Sequence, residues 1–137
     1  MISFFKRYSL FIVFISIFSS CDPGYGFIRK VVNNSSKEIV IIKTRNASTG
    51  IYLSDTTYIK SNSEAIIDNL GGLGNIDPTI SCSFIHKSDS VRIVEKNSQK
   101  PLIKDFYNGS SWHSTFKKTT AMSLKTCISI ITNNDLP

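Results

Sequence analysis

Long apolar runs are scarce in this 137-residue chain, and the longest, residues 10–18, has nine members interrupted by Ser16. A helix crossing a bilayer needs about 20, so the chain holds no spanning segment of that kind. Histidine is nearly absent, with two residues, and nothing shows the paired ligand spacing of a zinc site. Asp55, Asp68, Asp77 and Asp89 lack the interleaving of a calcium loop, and no metal or other cofactor is expected. The one glycine cluster, Gly71-Gly72-Leu73-Gly74, runs into Asn75-Ile76-Asp77-Pro78. A phosphate cradle would continue with Lys and Ser or Thr at the start of a helix, so the cluster reads as a flexible turn. His86, Asp89 and Ser90 supply the residue types of a nucleophilic triad, yet no strand-to-helix elbow surrounds Ser90. They read as a turn between strands.

What is present at the start is a leader. Lys6 and Arg7 precede the 10–18 run, which ends in Ser19-Ser20-Cys21, the layout of an export signal over residues 1–20. Its removal takes away two of the 16 basic residues and none of the 10 acidic ones, leaving a net charge of +4. The remaining basic residues are dispersed, with Arg29-Lys30 and Lys117-Lys118 the adjacent pairs. Nucleic-acid binding favours clustered cations interleaved with aromatics, so nucleic acid is not an expected partner, and the charges read as solvated.

Phe18-Ser19-Ser20-Cys21 resembles the lipobox of bacterial lipoproteins, with Phe18 where Leu is more usual. The resemblance implies that Cys21 is lipidated and begins the mature chain, with residues 21–24 a short tether. Several acyl chains on one sulfur and amine hold a protein stably, because each buried methylene contributes about 0.8 kcal/mol. No acidic run follows Cys21, which favours a periplasm-facing attachment, with the outer membrane as the expected site. Asp55-Thr56-Thr57 and Asp89-Ser90-Val91 resemble the acceptor motif for exported-protein O-glycosylation in Bacteroidota, which implies Thr56 and Ser90 as acceptors.

Beyond the tether, residues 25–137 form a series of short β-rich runs separated by Asn- and Ser-rich turns. The spacing predicts strands over 25–32, 38–44, 56–60, 65–68, 79–85, 90–95 and 122–132. Seven such strands imply an all-β domain, a small antiparallel sandwich of Ig-like or Greek-key type. The unbroken Ile39-Val40-Ile41-Ile42 run predicts a central strand covered on both faces. The aromatic-rich stretch 101–118 reads as a structured loop in which Trp112 buries its ring and its indole N–H finds an acceptor.

Cys82 and Cys127 remain once Cys21 is assigned to lipid, and export permits a disulfide between them; the alternative is two separately buried thiols. The order of Val31-Val32-Asn33-Asn34-Ser35-Ser36, Asp89-Ser90-Val91-Arg92-Ile93, Lys100-Pro101-Leu102, Tyr107-Asn108 with Trp112, and the terminal 130–136 segment resembles small lipoproteins of the Bacteroidota. That resemblance implies a lipid-anchored β-sandwich and is silent on chemistry. The leading functional expectation is a non-enzymatic binding module of the cell envelope. Its partners would be membrane lipid through Cys21 and an envelope protein or polysaccharide. Contact loops are expected at one end of the sandwich, over 71–78 and 105–113, the latter presenting Tyr107, Asn108, Trp112 and His113. The rival expectations are a small hydrolase or carbohydrate-processing enzyme built on Asp68, Asp77 and Asp105, and a self-associating structural component.

Overall fold

The computed structural model describes residues 23–46, 52–84 and 89–137. Among the described residues seven strands run in chain order: β1 Gly24–Asn33, β2 Ile39–Asn46, β3 Tyr52–Ile59, β4 Ser63–Leu73, β5 Asp89–Glu95, β6 His113–Lys118 and β7 Met122–Ile131. They form a four-stranded sheet in the order β4-β1-β7-β6 and a three-stranded sheet in the order β3-β2-β5. The inner faces share one core. Phe27, Val31, Ile67, Cys127 and Ile131 from the first sheet meet Ile39, Ile41, Ile59 and Ile93 from the second. The architecture is the expected small β-sandwich, with one parallel pairing, β1 beside β7, among otherwise antiparallel neighbours.

β2 is the central strand of its sheet. Ile39 and Ile41 enter the core, while Val40 and its cross-strand neighbour Val94 are buried outside that core cluster, so the outer face of β2 is covered at Val40 but only half-buried at Ile42 and Thr44. Beyond β5, Lys100 and Leu102 exchange backbone hydrogen bonds with Glu95 and Ile93, which shields part of an edge that would otherwise offer unpaired backbone groups.

Four expectations require correction. Residues 79–84 are not a strand, although Cys82 and Phe84 are buried. Their carbonyls are satisfied by side chains: Lys125 Nζ donates to the oxygens of Pro78 and Ile80, each at 2.5 Å, and Arg29 donates to those of Cys82 and Ser83 at 2.8 and 3.0 Å. Residues 101–118 are not one loop, since they contain a short 3-10 turn, Gly109–Ser111, and β6. β6 is an edge strand exposed along its whole length, so its sequence carries no apolar alternation to betray it. The glycine cluster is not a free turn either. Gly71 and Gly72 pair within β4 against Gly26 and Tyr25, and a Cβ at Gly72 would come within 2.8 Å of the Tyr25 ring. The turn is confined to Gly74, at φ +101°, whose amide donates to Pro23. Pro23 and Gly24 therefore belong to the domain rather than to a leash.

A bulge fixes the charged interior. Between Arg29 and Lys30 of β1 the partner in β4 jumps from Asp68 to Ile66, so Ile67 and Asp68 both turn inward. Both are buried, and Ile66 is exposed.

Candidate functional site: a cavity at the mouth of the sandwich

The sequence between β4 and residue 84 is irregular because Asp77-Pro78 breaks extended pairing and Asp77 caps its own turn. The Asp77 carboxylate accepts the Thr79 amide at 2.8 Å and the Thr79 hydroxyl at 2.7 Å. Those two bonds, and more weakly the charge of Lys125, hold its pKa below the ordinary carboxylate range despite slight desolvation. This segment folds back toward β1 and borders an open cavity of about 410 Å³. The walls are Tyr25, Phe27 and Arg29 of β1, Leu70 of β4, and Asn75, Ile76, Asp77, Ile80 and Ser81 of the segment. Apolar side chains dominate, and the polar groups Asn75, Asp77, Ser81 and Tyr25 sit among them.

Arg29 anchors the inner wall. Its guanidinium donates to Asp68 Oδ2 at 2.9 Å as well as to the two carbonyls named above, and it lies 4.8 and 4.7 Å from the ring centres of Phe27 and Phe84. Asp68 Oδ1 accepts from Lys43 Nζ at 2.8 Å, and Lys43 also donates to the Ile67 carbonyl. Burial alone would raise the Asp68 pKa, but hydrogen bonds from Lys43 and Arg29, with their charges, outweigh it and lower the value. Along the same row β1 places Arg29 between Asp68 and Cys127. Cys127 is joined to Cys82 by a disulfide with a Cα separation of 5.6 Å, inside the span such a bridge requires. The cavity wall is thus held by an ion network and a covalent bond. Among the described residues no buried side-chain polar atom lacks a partner.

Comparison with known proteins is silent here. No family model, curated protein or solved structure matches the chain.

The sequence-predicted residues are distributed differently from expectation. The two loops do not share an end of the sandwich. Segment 71–78 reaches the start of β7 through Ser123, whose hydroxyl accepts from the Ile76 amide. Segment 105–113 reaches the far end, where Ser129 donates to the Ser111 carbonyl. Six residues of strand, about 20 Å, separate those contacts. Trp112 is buried with its indole nitrogen donating to Phe106 at 3.0 Å, and it meets Phe84 and Phe106 edge-to-face. The Tyr107 hydroxyl accepts from the Val91 amide, Asn108 caps the 3-10 turn, and His113 is an exposed residue of β6. Asp105 caps Tyr107 and lines a second cavity of about 310 Å³ beside β5. Asp68, Asp77 and Asp105 are therefore split among the interior, the first cavity and the second. Thr56 and Ser90 are exposed on the outer face of the three-stranded sheet, opposite Ile42 and Thr44 of β2.

His86 lies outside the described residues, as does Cys21. Among the described residues no group of three or more His, Cys, Asp or Glu side chains could hold a metal, and no helix is long and apolar enough to cross a membrane. Arg29, Lys43 and Lys125 were missed by reading the basic residues as solvated. One signal was available for Lys43: it shares strand parity with Ile39 and Ile41, which places it on the inner face.

Proposed function

We propose that this chain is an envelope lipoprotein tethered through Cys21, whose β-sandwich acts as a non-enzymatic binding module. The observation that carries the binding reading is the 410 Å³ cavity. Its volume, apolar walls and few convergent polar groups match the usual make-up of a ligand site. The ligand class that fits is a small molecule or side chain with an apolar body and a hydrogen-bonding or cationic end, since Asp77 at the rim is ionised at neutral pH. Attachment to a membrane confines the search for an envelope partner to a surface and raises its effective concentration.

Mass spectrometry of the processed N-terminus tests the tether, with a multiply acylated Cys21 expected and an unmodified thiol counting against it. Leu70→Trp tests the cavity. Leu70 is half exposed, at 52%, so a larger ring there fills the mouth without crowding the core. Solvent extracts or envelope pull-downs from the native protein should contain a bound species that this variant loses at unchanged thermal stability. Equal recovery from both would remove the cavity from the binding reading.

A further inference from the structure

β7 turns its more polar face inward. Ser123, Lys125, Cys127 and Ser129 are buried, while Met122, Leu124, Ile128 and Ile130 lie on the outer face. The outer face continues across β1 and β4 through Ile28, Val32, Ile66 and Leu73, interrupted by Asn69, Thr126 and the Lys30–Glu64 ion pair, by the register that sets Gly24 between Leu73 and Met122, and Lys30 between Ile66 and Ile128. Large apolar side chains left exposed together on a sheet face mark an interaction surface.

Its Gly24 end has the most exposed members. Leu73 is 79% exposed and Met122 45%. Gly24, Gly26 and Gly71 leave the backbone bare between them, and a Cβ at Gly26 would come within 2.9 Å of Leu124 and 3.1 Å of Met122. Those side chains lie flat across β1 and make a low apolar tip. At its margin Lys117 of β6 pairs with Leu124 on the outer face and is exposed, whereas Lys118, opposite the inward Ser123, belongs to the other face of this edge strand. The chain enters the domain at this end, and Cys21 stands three residues before Gly24, a reach of at most about 11 Å.

We infer that the Leu73–Met122–Leu124 tip, flanked by Lys117, docks into the headgroup and acyl boundary of an anionic bilayer. This inference rests on the proposed Cys21 tether. The short reach brings the tip to the membrane, the apolar side chains enter the boundary, and Lys117 meets anionic headgroups. A second copy of the chain is the poorer occupant, because it would set another Lys117 and another domain of net charge +4 against the first.

The test uses the acylated protein in vesicles of phosphatidylcholine and phosphatidylglycerol, two to one, with an environment-sensitive fluorophore on Leu73→Cys or on Tyr58→Cys. Both positions are exposed, and they lie in different sheets. Brominated lipid should quench the label at 73 several-fold more than the label at 58. Lys117→Gln should weaken docking by about fivefold, the effect of one lysine near an anionic surface. Equal quenching at both positions on protein whose Cys21 is shown by mass spectrometry to be acylated overturns the docking and leaves the tether standing. An unacylated Cys21 overturns both. Shielding at 73 that follows protein density rather than brominated lipid assigns the face to a second copy and also overturns the proposal.

Discussion

Asp68 carries the heaviest electrostatic duty of any single side chain described. Its carboxylate is the counter-charge for Lys43 and Arg29, all three largely removed from water. Taking away one member of a buried ion network leaves the others uncompensated, at a cost of about 3–5 kcal/mol. Asp68→Asn should therefore lower unfolding free energy by about that amount in urea titrations at neutral pH. The pH dependence has a definite sign. Because the folded-state pKa lies below the ordinary value of 3.8, the unfolded chain binds more protons between the two values, and stability rises with pH there. The contribution is complete above about pH 4 to 5 and disappears as pH falls through the depressed folded value. Urea midpoints measured down through pH 3 should show a steeper acid loss for the native protein than for Asp68→Asn.

At the scale of elements, the segment 75–84 is the part whose position is least dictated by its own sequence. It has no strand partner, and its backbone oxygens are held by cations projecting from β1 and β7. Lys125→Met keeps the aliphatic bulk but removes the donor to Pro78 and Ile80. Leaving those oxygens without a donor should cost about 1–3 kcal/mol. The diagnostic readout is local: amide exchange should accelerate in 76–84 while β1, β2 and β7 keep their protection. Uniform acceleration across all strands would show that the lysine supports the whole sandwich instead. β6 illustrates the converse case. It is held by its ladder to β7 and exposes every side chain, so pairing rather than burial makes it a strand.

For the whole molecule, the Cys82–Cys127 bond closes 45 residues of chain and ties the cavity segment to the centre of the four-stranded sheet. Loop-closure entropy for that length gives about 4 kcal/mol of stabilisation through the unfolded state. Reduction, or Cys82→Ala with Cys127→Ala, should shift the guanidinium midpoint accordingly. A midpoint unchanged by reductant would mean that the bond constrains the unfolded chain far less than its span implies. A stabilising disulfide accords with the proposed export, since oxidising compartments are where such bonds persist.

Local pattern was enough for six of the seven strands, because alternation, β-branched runs and Asn- or Ser-rich turns act over a few residues each. The central position of β2 was legible in Ile39-Val40-Ile41-Ile42 for the same reason. Trp112 and its indole partner were legible because an aromatic with one donor has few ways to be buried. The cavity was not. It depends on a bulge that turns Asp68 inward and on Lys125 and Arg29 reaching carbonyls more than forty residues away. Sequence periodicity also cannot say which face of β7 is inward, because the choice rests on what the other sheet and the 75–84 segment offer to Lys125 and Cys127. Short-range chemistry thus determined the strands and turns, and long-range pairing alone decided where the charges are buried and which apolar face is left to the outside.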